Sequence, residues 1–92
     1  MCRREFEAVV RRDIRKAERA GVDPALCAAA RQLLQECDQM YRHKVSGISR
    51  LPPSARRQSR ARSMSQYFDR VDAIGALVRT YGALHGREAI PA

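Results

Sequence analysis

Residues 20–24 read Ala-Gly-Val-Asp-Pro, and they constrain the fold more than any other stretch. Glycine is the residue that ends an α-helix by adopting the left-handed conformation at low cost. Aspartate is a preferred N-cap, and proline is favoured at the first helical position. Gly21 therefore stops one helix, and Asp23-Pro24 starts the next only a few residues later. On both sides the apolar residues recur three and four apart, the period of an amphipathic helix. The spacing predicts a first helix from Arg3 to Ala20 and a second from Pro24 to about Lys44, joined as a hairpin. A second break lies at residues 45–54, where Gly47 and Pro52-Pro53 interrupt the pattern. Beyond it a third helix runs to about Leu84, and two starts fit. Ser54 follows the two prolines, whereas Ser63 with Gln66 has the form of a capping box. The first start gives one long helix, the second a short extra helix over 54–62 and then a longer one. The expectation is an all-α, compact three-helix bundle, a single domain over 1–92. Within it, 46–63 is a basic connecting segment and 85–92 a frayed tail.

A chain of 92 residues with no Trp and only Phe6, Phe68, Tyr41, Tyr67 and Tyr81 as aromatics builds a modest core. Enclosing an active-site cavity within it would be hard. The charge says more. The net charge is +8, and of 18 basic residues only Lys16 and Lys44 are lysines. Arginine makes forked contacts to carboxylates and phosphates, although a GC-rich coding sequence also accumulates it, so composition alone does not show phosphate binding. Residues 1–22 carry net +3, residues 46–63 carry five Arg and no acid, and the remaining segments balance.

Cys2, Cys27 and Cys37 form an odd set without zinc-site spacing. Cys27 and Cys37 stand on one predicted helix, roughly 15 Å apart at the helical rise, too far to bridge. Reduced thiols are expected, and with them a cytoplasmic location. The opening Met-Cys-Arg-Arg-Glu-Phe-Glu places acids where a secretion signal needs an apolar run. No uncharged run exceeds seven residues, against the ~20 apolar residues of a membrane span, so no membrane partner is expected.

The helix faces sharpen the reading. Leu26, Ala30, Leu33, Leu34, Cys37, Met40 and Tyr41 share one stripe of the second helix, as on a one-sided core helix. In the first helix Phe6, Val9, Val10, Ile14, Ala17 and Ala20 form the apolar side, with Arg4, Arg11, Arg12, Arg15 and Arg19 gathered opposite. Asp13 projects into the apolar stripe and needs a partner. Arg70, inside the apolar arc of the third helix, is the expected one. That arc, from Met64 through Tyr67, Phe68, Val71, Ile74 and Val78 to Leu84, spans roughly 200° of the wheel, about twice what a surface helix needs. Leu77, Tyr81 and Leu84 lie toward its edge. Two roles fit: the third helix is the central helix of the bundle, or its edge binds a partner or forms a homodimer seam. Gly75 and Gly82 would admit another helix closely.

Ala17, Ala20, Gly21, Val22 and the capped start at Asp23-Pro24 together resemble the helix-turn-helix of lactose-repressor-type regulators. The resemblance covers residues 17–34 and implies a recognition helix beginning at Pro24. Lys16 stands where that family buries an aliphatic residue, and Cys27 and Ala30 replace larger aliphatics. The face that would read bases offers Ala25, Ala28 and Ala29, with Arg31 and Gln32 a turn later, where donors near the N-terminus are needed. A plain helical hairpin with a tight corner fits better.

Residues 56–63, Arg-Arg-Gln-Ser-Arg-Ala-Arg-Ser, contain Arg56, Arg57, Arg60 and Arg62 with no aromatic for base stacking. Catalysis finds no support: His43 and His85 stand alone, and neither a nucleophile–base pair nor a phosphate-binding glycine loop is visible. No catalytic, cofactor-binding or metal-binding residue is expected. The function expected is that of a non-enzymatic helical regulator or adaptor, bacterial or phage-encoded, that binds an acidic protein partner. Leu77, Tyr81 and Leu84 are its apolar contacts, and the arginines of the first helix and of 56–62 its basic ones. The alternative is a nucleic-acid-binding protein that uses the same arginines.

Overall fold

The computed structural model describes residues 2–88. Three helices pack against one another: α1 (Arg3–Arg19), α2 (Pro24–Ile48) and α3 (Pro53–Glu88), with no strand among the described residues. The α1–α2 corner forms as its residues dictate. Gly21 has φ 85°, which a side chain resists. The Val22 N–H donates to the Ala17 carbonyl at 3.0 Å and the Gly21 N–H to the Glu18 carbonyl at 3.1 Å, the paired bonds of a Schellman cap. Val22 and Ala17 are both buried beside it. The Asp23 carboxylate then accepts the Ala25 N–H at 2.9 Å and starts α2, with Pro24 at its first position.

α1 lies antiparallel along α2. Glu18, near its end, pairs with Arg31, whereas Arg3, at its start, pairs with Asp38. The two pairs set α1 and α2 as an antiparallel helical hairpin. Ala25, Ala28 and Ala29 are exposed on the first turns of α2, and Arg31 is engaged by Glu18. The core runs along all three helices: Val10, Ile14 and Ala17 of α1; Cys27, Ala30 and Leu34 of α2; Tyr67, Val71, Ile74 and Val78 of α3. Phe6 closes one end against Phe68, with ring centroids 5.1 Å apart.

Four sequence expectations change. α2 continues through Gly47 to Ile48 rather than ending near Lys44. One interior glycine costs only about 1 kcal/mol, and the extra turn buries Ile48. α3 is one helix of 36 residues from Pro53, so no separate helix exists over 54–62 and Ser63–Gln66 is not a start. Ser63 is buried within α3, and Gln66 accepts from Lys44 instead. The connection between α2 and α3 is therefore 49–52 alone, and most of the segment 46–63 is helical. At the other end α3 is helical to Glu88, into the segment expected to fray, and residues 89–92 lie outside the described residues.

The unequal helix lengths shape the molecule. α1 begins level with Tyr67, where Arg3 lies over its ring. The α2–α3 hairpin projects beyond that point as a two-helix tip, residues 43–64. The molecule measures 62 × 19 × 15 Å.

Candidate functional site

Most of the net charge sits at the projecting tip and immediately beside it. Residues 39–68 contain Arg42, Lys44, Arg50, Arg56, Arg57, Arg60 and Arg62 and no acid, so these seven cations account for +7 of the net +8. Among the described residues Arg42 is the one of these paired with a carboxylate, Asp38 Oδ2 at 3.1 Å. Not every cation is available for a ligand. The Arg56 Nε donates to the Leu51 carbonyl at 3.0 Å and its terminal amine to the Ser49 carbonyl at 3.2 Å. This side chain holds the α2–α3 corner shut, satisfying two carbonyls of the 49–52 connection. Arg57, Arg60 and Arg62 are exposed. Arg62 lines an open concavity of ≈ 460 Å³ together with His43, Lys44, Ser59, Ser63 and Gln66.

The structure does not bring the two predicted arginine sets together. Arg4, Arg12, Arg15 and Arg19 are exposed on the outer face of α1. Arg11 is held by Glu7, with N···O distances of 3.0 and 2.8 Å. Phe6 packs on Phe68, and Arg57 lies eleven residues earlier on α3, roughly 16 Å along the axis. The α1 arginines thus flank the core while Arg57, Arg60 and Arg62 occupy the tip.

Asp13 does not pair with Arg70. It meets Arg79, whose NH1 lies 3.1 Å from Oδ2, because Arg79 stands on the α1 side of α3 and Arg70 on the opposite side. Arg70 instead points to the thioether of Met40 on α2, a weak acceptor for a full positive charge. Among the described residues no carboxylate pairs with it.

Arg3, which the sequence reading passed over, is the most engaged cation. It bonds Asp38, lies 4.0 Å from Glu7, and its guanidinium sits 4.9 Å from the Tyr41 ring centroid and 5.3 Å from that of Tyr67. Its partners come from all three helices, which makes it a clamp between them. A sequence signal did exist, since Arg3 falls on the Phe6–Val10 side of α1 rather than among the other arginines. The Tyr67 hydroxyl beside it is buried without a hydrogen-bond partner. Burial, then the charge of Glu7, push this phenol up, against the pull of Arg3.

The remaining feature is a groove along the α2–α3 seam, on the side away from α1. Leu33, Cys37 and Met40 of α2 face Ala73 and Ile74 of α3 across it, with Arg70 and Glu36 at its walls, enclosing ≈ 320 Å³. Leu33 and Met40 are 44% and 43% exposed, so the stripe of α2 is not one-sided core. Its residues divide between the core and this open face. On α3, Leu77, Tyr81 and Leu84 are 40%, 46% and 45% exposed and extend the same face. The wide arc of α3 is thereby explained: Phe68 and Gly75 meet α1, Tyr67 meets α2, and Leu77, Tyr81 and Leu84 meet neither fully. Gly75 serves packing within the chain, because a Cβ there would come within 3.3 Å of Val10.

Burial, the largest cause in each case, raises the pKa of the Cys27 and Cys37 thiols, the reverse of an activated nucleophile. Among the described residues no three His, Cys, Asp or Glu side chains are grouped to hold a metal ion, and no helix is long and apolar enough to cross a membrane. No protein-family model, curated protein or solved structure matches the chain.

Proposed function

We propose that this chain is a non-enzymatic helical adaptor or regulator that binds an acidic protein partner through the α2–α3 hairpin. The observation that carries the reading is the adjacency of two features on one face. An apolar groove with exposed Leu33, Met40 and Leu77 leads along the seam toward a tip, residues 43–64, that carries six cations and no acid. Buried apolar anchors supply affinity at protein interfaces, and surrounding charges set the rate of encounter and the orientation. A nucleic-acid backbone uses the cations and has no use for the leucines.

A second reading rests on the tip alone. Arg57, Arg60 and Arg62 project from a narrow two-helix end, and such a cluster neutralises phosphates irrespective of sequence. One pair of titrations separates the two. The chain is titrated into a fluorescent 21-residue peptide of glutamate and leucine, and into a mixed-sequence DNA duplex, at about 0.15 M salt, where exposed charges are screened beyond ~8 Å. Tight binding to the peptide and only weak, salt-sensitive binding to the duplex supports the protein partner. Tighter binding to the duplex, lost on Arg57→Glu with Arg60→Glu, overturns it in favour of nucleic acid.

A further inference from the structure

The α2–α3 groove has the sequence register of a helix–helix interface whose third member is absent. On α2, Leu33, Cys37, Met40, Lys44 and Gly47 follow one another at steps of four, three, four and three. On α3, Ser63, Gln66, Arg70, Ala73 and Leu77 step by three, four, three and four. Steps of four and three keep residues on one face of a helix and make the seam of packed bundles. α1 occupies the other side of the α2–α3 pair, through Asp38 on α2 and through Phe68 and Arg79 on α3. The open side thus offers a second groove, lined by apolar side chains with Arg70 and Glu36 at its walls.

The geometry points to this groove as the seat of a fourth helix supplied by the partner: an acidic amphipathic helix of about three heptads. Its apolar stripe would lie on Leu33, Met40 and Leu77, and its carboxylates would meet Arg70, Lys44 and Arg62. This inference rests on the acidic-partner reading above and deepens it.

Charge selects the occupant. The residues lining the groove and the adjoining tip concavity include three permanent cations, Lys44, Arg62 and Arg70, against one carboxylate, Glu36. Glu36 already accepts a hydrogen bond from Gln32 at 3.3 Å. Among the described residues Arg70 has only the Met40 sulfur, so a carboxylate reaching it would gain a charge-assisted bond at no loss of an ion pair seen there. A second copy of this chain would bring the same cations against themselves, which costs affinity. Met40 adds tolerance, since its flexible thioether side chain adapts to irregular apolar partners. Occupation of such a groove by an amphipathic helix is a common mode of recognition, read by anchors spaced three and four apart.

Cys37 lies in the groove and reports its occupation. The test uses the full chain with Cys2→Ser, so that Cys37 is the accessible thiol and Cys27 stays buried. Two 21-residue peptides of identical glutamate and leucine composition are compared. One has leucine at the first and fourth position of every heptad, and the other is scrambled. The expected result is at least about tenfold tighter binding of the ordered peptide, with a similar loss on Leu77→Gln, and slowed labelling of Cys37 by a thiol reagent when the ordered peptide is bound. Leu77 is exposed, so the variant keeps its fold, and unchanged circular dichroism verifies this. Equal binding of both peptides with Cys37 unprotected confines acidic ligands to the tip. That outcome sinks the groove while leaving the acidic-partner reading intact. Failure of both peptides to bind sinks both. A chain that sediments as a dimer, and becomes monomeric on Leu77→Gln, assigns the face to a second copy and overturns the inference.

Discussion

Leu33 and Leu34 are neighbours in sequence with opposite fates, and truncating each in turn measures how α2 is rotated in the bundle. Leu34 is 0% exposed and Leu33 44%. Leu34→Ala leaves a void between α1 and α3 that a packed core fills poorly, and comparable substitutions cost about 3–5 kcal/mol. Leu33→Ala removes a side chain only half withdrawn from water. Full burial of a leucine is worth about 1.5–3 kcal/mol. The open groove leaves no enclosed void, and alanine is the better helix former. The expected cost is therefore about 0.5–1 kcal/mol. A chain of this length has roughly 5–14 kcal/mol of stability in all, so Leu34→Ala removes a large share and Leu33→Ala a small one. Urea unfolding followed by circular dichroism at 222 nm reads both. The midpoint should fall sharply for Leu34→Ala and barely for Leu33→Ala, with the dependence on urea unchanged in each. Equal losses would refute the reasoning, for they would mean that the groove face is covered within the folded chain.

Three further outcomes follow from the same contacts. A double-mutant cycle on Asp13→Ala and Arg79→Ala should give a coupling of about 0.2–1 kcal/mol, as for a part-exposed ion pair, whereas the cycle of Asp13→Ala with Arg70→Ala should give none. Gly21→Ala forces a side chain into the left-handed region at φ 85° and should cost about 1–2 kcal/mol, lowering the melting temperature by roughly 4–16 °C. The raised Cys27 thiol sets the direction of an alkaline effect. Burial, its main cause, keeps the folded thiol protonated at a pH where the unfolded one ionises, above about 8.5. The folded state then binds the extra proton, so stability is full below that pH and falls as pH rises through the folded value. Cys27→Ala should flatten this decline in urea midpoints measured from pH 7 to 10.

The corner at residues 20–24 was legible because its chemistry is local. A glycine in the left-handed region, an Asp cap and a proline at the first position each act within a few residues. The course of α3 was not, because its start is decided by competition. Pro52-Pro53 permits helix from Pro53 onward, and the burial of Ser63 and the Lys44–Gln66 contact extend one helix through a segment whose own caps suggested two. Asp13 illustrates a different limit. The wheel turns it toward a neighbouring helix but does not say which side of the wide α3 arc meets α1, and Arg79 stands on that side whereas Arg70 stands opposite. Exposed edges fared better. Leu77, Tyr81 and Leu84 stood out because the arc of α3 was wider than two neighbours cover, and they are exposed. Leu33 and Met40 were absorbed into the core stripe of α2, since a single wheel cannot tell which side of an apolar stripe a neighbouring helix will leave open. The charge excess was visible in the sequence, but its segregation to one end depends on α1 being too short to reach the tip.

Backbone amide chemical shifts recorded during addition of the ordered acidic peptide test the central claim most directly, because they locate the contact. The account predicts perturbations on Leu33–Gly47 of α2 and Ser59–Leu84 of α3, concentrated on the face turned away from α1, with Arg4, Arg12, Arg15 and Arg19 of α1 silent. Perturbations centred on those four arginines, or confined to the tip residues Arg56–Arg62, would contradict it.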